Sequence, residues 1–238
     1  MTSIWAFRKK IDQYDDLNEE EYFLKHIDVW NFIKSEIEKD NSAKKILDVG
    51  CCTGIGYKDF KYFDRLSISG LDINKKFIEI AKLRGIDGHI CDVSKEKFPY
   101  ENSVFDVVIL GSLIEHTLNP RHLISESKRV LKGGGRLIIS TPNAVSLRSR
   151  IDLVRGKNQF SPLIQNIFSK DYLLRCSIFY SKKEIAYILG DDFSIERVAY
   201  INDKKNNPST IRKLVNCLCI IPSLKDVIIV VAKKHITI

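Results

Sequence analysis

From Glu19 to Ile37 the residues Tyr22, Phe23, His26, Ile27, Trp30, Ile33 and Ile37 recur at three- and four-residue steps. That spacing predicts one amphipathic helix ending before Asn41-Ser42. Downstream, short apolar runs alternate with helical stretches. Lys45–Val49 is short and mostly apolar, as a parallel strand buried on both faces would be. Residues 55–64 are expected to be helical, and Ser67–Ile73 a second strand. Asn74 can cap a helix over Lys75–Arg84, and Gly85 suits the left-handed position beyond its end. Gly88–Cys91 and Phe105–Leu110 predict the third and fourth strands. Asn119 and Pro120 open a helix to about Leu131, Gly133-Gly134-Gly135 stop it, and Arg136–Thr141 reads as a fifth strand. Four to five strand–helix units in succession predict a doubly wound parallel α/β sheet.

After Pro142 the alternation breaks. Residues 143–180 are basic and mixed in character. Ser181-Lys182-Lys183-Glu184 is a capping-box pattern for a helix ending near Gly190. Phe193–Ile201 and Val227–Ala232 predict two more strands, separated by a polar turn (203–208) and an apolar run, Leu214–Ile221. That run, preceded by Arg212-Lys213, could lie on a membrane surface; core beneath the last hairpin is the better reading. The expected organisation is an N-terminal helical lid (1–43) and a main domain (44–238) with an inserted cover (143–180).

Composition narrows the classes. The 238 residues are 44% hydrophobic and 29% charged, ordinary for a globular chain with one core. No run approaches the roughly 18 apolar residues that span a bilayer. The first ten residues lack a secretory pattern, so a cytoplasmic location is expected. Six cysteines form no C-x-x-C pair and have no histidine pair at ligand spacing, which argues against structural zinc and for reduced thiols. The net charge of +8 leaves nucleic acid, an anionic surface and an anionic small molecule open as partners.

Three places carry chemistry. The loop Asp48-Val49-Gly50-Cys51-Cys52-Thr53-Gly54-Ile55-Gly56 follows the first strand, where open α/β sheets bind ligands. Glycines there permit a sharp turn and close approach of backbone to a ligand. Asp72 ends the second strand and can accept hydrogen bonds from ribose hydroxyls. Asp92 ends the third; its carboxylate could meet an adenine amino group while the Val93 amide meets a ring nitrogen. An ordinary turn carboxylate is the bland alternative there.

These pieces resemble the class I S-adenosylmethionine-dependent methyltransferases, of the small-molecule, ubiquinone/menaquinone-biosynthesis-like type. The matching segments are ILDVGCCTG (46–54), SGLDIN (69–74), CDVSKEKFPYENSVFDVVIL (91–110), IEHTLNP (114–120), LKGGGRLIISTPN (131–143) and VIIVVAKK (227–234). The resemblance implies a Rossmann-like seven-stranded sheet of order 3-2-1-4-5-7-6 with the last strand antiparallel. It implies S-adenosylmethionine as cofactor and S-adenosylhomocysteine as product. Cofactor contacts are expected from Asp48, Gly50, Cys51, Cys52, Thr53 and Gly54, from Asp72 and Ile73 at the ribose, from Asp92 and Val93 at the adenine, and from Gly111. One position departs: Cys52 stands where the family usually has glycine, so its backbone must take an ordinary φ or accept strain of order 1–3 kcal/mol. The rival G-x-G-x-x-G dinucleotide motif fits poorly, because Cys52 holds its second glycine position.

Glu115-His116 follows the fourth strand, beside the expected transfer point. His116 has the intrinsic pKa of a general base, about 6.5 for a free imidazole; shaping the loop is the competing role. Some relatives hold a divalent metal with E-x-x-E-H, but Ser112 replaces the first glutamate here, so no essential metal is expected. No N-P-P-Y-type motif follows the fourth strand, which disfavours amino groups of nucleic-acid bases. In 143–183 eight basic residues (Arg148, Arg150, Arg155, Lys157, Lys170, Arg175, Lys182, Lys183) face two acidic ones (Asp152, Asp171), with aromatics interleaved. An anionic small acceptor and a solvated helical face explain this equally; nucleic acid ranks third. The expected activity is methyl transfer to an oxygen, less readily nitrogen or carbon, of a small acceptor such as a glycan, lipid-linked compound or secondary metabolite. A non-catalytic cofactor-binding protein and an RNA methyltransferase are the alternatives. Oligomeric state is not readable from the chain.

Overall fold

In the computed structural model, residues 19–39, 45–58, 60, 65–117, 119–156, 178–202 and 222–236 are described. The readings at Leu214–Ile221, at 203–208 and over 157–177 lie outside them. The elements are α1 (Glu19–Glu38), β1 (Lys45–Val49), β2 (Ser67–Asp72), α2 (Lys75–Leu83), β3 (Asp87–Ile90), β4 (Phe105–Gly111), α3 (Pro120–Val130), β5 (Leu131–Pro142), α4 (Leu147–Val154), α5 (Lys182–Leu189), β6 (Phe193–Ile201) and β7 (Val227–Lys234). Seven strands form one sheet in the order β3-β2-β1-β4-β5-β7-β6. β1 to β5 run parallel, and β7 lies antiparallel between β5 and β6. This is the expected order and the expected antiparallel last strand.

Parallel strands place all their carboxyl ends on one edge, and side-chain alternation divides their residues between two cores. Ile46, Val107, Ile109, Ile138, Ile229 and Val231 face α1 and α2, joining Ile33, Ile37 and Ala81. Leu47, Val108, Leu110, Leu137, Ile139 and Val230 face α3 and α5, joining Leu123, Val130, Ile185 and Leu189. Both cores are closed, which fixes β1 and β4 as almost continuously apolar.

The predicted caps form. Asn74 Oδ1 accepts from the Lys76 and Phe77 amides at 2.9 and 3.4 Å, and Asn119 Oδ1 accepts from His122 at 3.2 Å. Ser181 and Glu184 make both halves of a capping box. Two boundaries differ by more than two residues. β5 begins at Leu131, before the three glycines, because Leu131 already pairs with Phe105. After Gly54 only a short 3-10 turn, Ile55–Tyr57, is described in place of the expected helix start. Gly56 sits under the Trp30 indole, and a Cβ there would stand 2.2 Å from that ring.

Candidate active site

The loop after β1 is built from backbone hydrogen bonds. The Gly50 and Cys51 amides both donate to Leu71 O, at 2.7 and 3.0 Å, and the Gly54 amide donates to Cys51 O at 2.9 Å. Gly54 is left-handed (φ 74°), and a Cβ there would come within 2.2 Å of Ile86. Cys52 is also left-handed, with φ 48°. The chain therefore accepts the strain at this position, of order 1–2 kcal/mol for a residue with a Cβ. Part of the compensation is visible: the Cys52 amide donates to Asp72 Oδ2 at 3.0 Å.

Beside this loop lies a crevice of about 30 Å³, lined by Asp48, Gly50, Cys51, Cys52, Ile55 and Gly56 and by Gly111, Ser112 and Ser140 at the ends of β4 and β5. Its roof is α1, through His26, Val29, Trp30 and Ile33. Trp30 packs edge-on against Tyr57, ring centroids 5.3 Å apart. Farther along α1, buried Glu36 pairs with Arg197 of β6, whose guanidinium lies 4.9 Å from the centre of the Phe32 ring. The C-terminal half of α1 is thus tied to the sheet, and the helix covers the loop with its preceding turns.

Asp48 is 2% exposed, and its Oδ2 has no hydrogen-bond partner. Burial pushes its carboxyl up to about 7; the nearby Tyr57 hydroxyl works against that rise and the charge of Asp72 adds to it. Burial likewise holds the Cys51 thiol well above its ordinary range, with help from Asp48 and Asp72, so it stays protonated. Asp72 is raised by burial, against the amide hydrogen bonds that support its charge. Its two oxygens take one each from Asn74 (2.8 Å) and Cys52 (3.0 Å). Each oxygen retains acceptor capacity, as a carboxylate has about four lone-pair sites.

The other candidates fall in different surroundings. Thr53 is buried and gives its carbonyl to Arg84 Nη1 at 2.8 Å. Ile73 and Val93 are half-buried, Val93 against the α3-side core. Asp92 lies two residues beyond β3. Burial works against its charge, but Ser94 and Lys95 outweigh this and hold the carboxyl below its usual range. Ser94 Oγ donates to Asp92 Oδ1 at 2.5 Å, and Lys95 Nζ is 3.0 Å from Oδ2. The structure therefore brings Asp48, Gly50, Cys51, Cys52 and Gly111 together around the crevice, places Asp72 against its loop, and leaves Asp92 in a local turn.

Glu115 and His116 occupy a 3-10 turn, Ile114–His116, after β4, and neither lines the crevice. Burial pushes Glu115 up to about 8, against a backbone hydrogen bond and the Thr141 hydroxyl. Burial lowers His116 below the usual imidazole range, so it is neutral at pH 7 and able to accept a proton. Among the described residues no group of three His, Cys, Asp or Glu side chains is gathered as a metal site, and no helix is long and apolar enough to cross a membrane.

Residues 47–139 match the family model described as a methyltransferase domain. That stretch makes the chain similar to methyltransferases over less than half of its length. Over 137 residues it is 34% identical to an uncharacterized protein of Methanocaldococcus jannaschii, covering 56% of this chain and 60% of that one. Over 172 residues it is 28% identical to the ubiquinone/menaquinone biosynthesis C-methyltransferase of Desulfotalea psychrophila, covering 69% and 64%. The chain thus spans less than two thirds of the length of either relative. Its fold is also that of a Thermotoga maritima S-adenosylmethionine-dependent methyltransferase described as a possible histamine N-methyltransferase. That likeness has a TM-score of 0.62 at 18% identity and covers 96% of this chain and 98% of the other.

Sequence reasoning about this chain missed the roof residues as site residues. Their i, i+3, i+4, i+7 spacing marks a helical face but not what the face covers. It also missed Ser112, which is left-handed (φ 51°) and whose amide donates to Ser140 O at 2.9 Å and Oγ at 3.1 Å. A serine ending the otherwise apolar Leu137–Ile139 run was the available signal for Ser140.

Proposed function

We propose that this chain is a methyltransferase that transfers a methyl group from S-adenosylmethionine to a nucleophilic atom, preferentially oxygen, of a small acceptor. The observation that carries the reading is the unpartnered, buried Oδ2 of Asp48 beside the turn at Gly50. Native proteins pair nearly all buried polar groups, so an orphan in a crevice marks a ligand contact. The residues fit the cofactor: Asp48 and the Gly50–Gly54 loop would hold its amino-acid end, and Asp72 its ribose. Asp92 would reach the adenine through the acceptor capacity that Ser94 and Lys95 leave. When bound, S-adenosylmethionine supplies a methyl group made electrophilic by its sulfonium.

The chain's own work is then binding, exclusion of water and proton removal. Val29, Trp30 and Ile33 cover the crevice and keep it dry, which strengthens the electrostatics inside. The N-terminal helix acts as the lid, and its displacement admits ligand to a space of only about 30 Å³. His116, neutral through burial, takes the proton of the acceptor. Beyond β5, α4 carries Arg148 and Arg150 on the covering segment and Arg155 caps its C-terminus; Arg150 and Arg155 line a shallow cleft of about 220 Å³. These arginines support an acidic group on the outer part of the acceptor.

Calorimetry with S-adenosylhomocysteine tests the reading; no binding at high micromolar concentration refutes it. Asp72→Ala removes charged hydrogen bonds worth roughly 1.5–3 kcal/mol, so affinity should fall by about 10- to 100-fold. Unchanged affinity would place the ribose elsewhere.

A further inference from the structure

A second set of buried polar groups lies outside the crevice. Glu115, Thr141 and Tyr180 are 1%, 0% and 4% exposed, and Glu115 Oε2, Thr141 Oγ1 and the Tyr180 hydroxyl have no hydrogen-bond partner. They are neighbours: the Thr141 hydroxyl favours the ionised form of the Glu115 carboxyl, and Glu115, once ionised, raises the Tyr180 phenol.

The backbone explains why three distant residues meet. The Ile178 amide donates to Glu115 O at 3.3 Å, and the Ala144 amide to Tyr180 O at 3.1 Å. Tyr180 bridges Asn143, which continues from β5. Asn143 is itself pinned, its Nδ2 donating to the Ser223 and Lys225 carbonyls, both at 2.8 Å. Alternation along β5 then puts Thr141 on the face of Leu137 and Ile139, while Ser140 faces the crevice.

Three buried groups with no hydrogen bond of good geometry, two of them close enough to influence each other, lie at the carboxyl edge where parallel sheets receive ligands, and such a cluster is what a binding site holds in reserve. Their chemistry narrows the ligand. Burial keeps Glu115 protonated at neutral pH, and it pushes the Tyr180 phenol up to about 12. The cluster therefore holds three hydroxyl-type donors and no formal charge of its own. A buried neutral acid beside a phenol donates hydrogen bonds to a substrate oxygen. We propose that Glu115, Thr141 and Tyr180 form an acceptor subsite that takes an uncharged carbonyl or hydroxyl oxygen of the methyl acceptor. The assignment rests on the methyl-transfer reading. The ends of β4 and β5 supply both this subsite and one wall of the crevice.

Tyr180→Phe and Thr141→Val each delete one hydroxyl and little else. Phenol serves as the probe, titrated into the S-adenosylhomocysteine-saturated protein and followed by NMR shifts. Wild type should bind phenol, and each variant should bind at least tenfold more weakly. Affinity for S-adenosylhomocysteine should not change, and the melting temperature should hold or rise, because a hydroxyl without a partner has been removed. No phenol binding by wild type, equal binding by the variants, or a melting temperature lowered by several degrees would overturn the subsite. The last result would mean that the hydroxyls serve folding through internal water. Failure of the methyl-transfer reading shows separately, as wild type that does not bind S-adenosylhomocysteine.

Discussion

Replacing Asp48 by Asn removes one ionisable group from the floor of the crevice with almost no change of shape. Asp48 is 2% exposed and burial lifts its pKa from 3.8 to about 7. The folded protein therefore holds this proton more tightly than the unfolded chain does. Wild-type stability falls as pH rises from about 4, and the penalty is complete above the folded pKa. At about 1.4 kcal/mol per pKa unit, the full penalty is on the order of 4 kcal/mol. Integrated between pH 5 and pH 8, it grows by about 2.5 kcal/mol. D48N has no proton to lose, so its stability relative to wild type should improve by about 2.5 kcal/mol between those two pH values. An amide left without partners in the same place costs roughly 1–3 kcal/mol, but at both pH values, and cancels in the difference. Urea unfolding without ligand, followed by circular dichroism at pH 5 and pH 8, reads the effect; both lie below the pI of about 9.1. A gap between variant and wild type that stays constant across the two pH values refutes the reasoning. It would mean that Asp48 ionises normally and that its orphaned oxygen is solvated.

Cys52→Gly should relieve left-handed strain of about 1–2 kcal/mol, offset by about 0.5–1 kcal/mol of added unfolded-state entropy. Stability should rise slightly and affinity for S-adenosylhomocysteine should hold; a loss of stability would mean that the thiol packs favourably. Gly56→Ala places a methyl group 2.2 Å from the Trp30 indole, so the roof must shift at a cost of about 1–3 kcal/mol. Trp30 emission should move to the red in a Trp5→Phe background, since the chain has only two tryptophans; an unmoved spectrum would show that the loop gives way instead of the helix.

The strand–helix alternation and the position of the glycine-bearing loop were legible because they rest on local chemistry, whereas the strand order followed from the family resemblance. Two-sided burial leaves apolar runs such as Ile46–Val49, broken only by Asp48, and Val107–Leu110, and caps such as Asn74 and Asn119 announce the helices between them. Once strands run parallel, their carboxyl ends share an edge, so Asp48, Asp72 and Gly111 had to be neighbours. The same reasoning misplaced the start of β5, because pairing of Leu131 with Phe105 is a long-range matter that overrides the helix-stopping glycines.

What the chain alone determined is therefore the α/β frame, the loop at Gly50–Gly54 and the irregularity at Cys52. Only the tertiary structure decided what that irregularity does: φ at Cys52 is positive, and its amide is held by Asp72, 20 residues away. Nor could periodicity say that the 26-29-30-33 face of α1 roofs the crevice, since a helical stripe names no partner. The protonated state of Glu115, and its meeting with Thr141 and Tyr180, also belong to the fold. A carboxyl's charge depends on how much water its neighbours leave it, and those neighbours lie 26 and 65 positions along the chain.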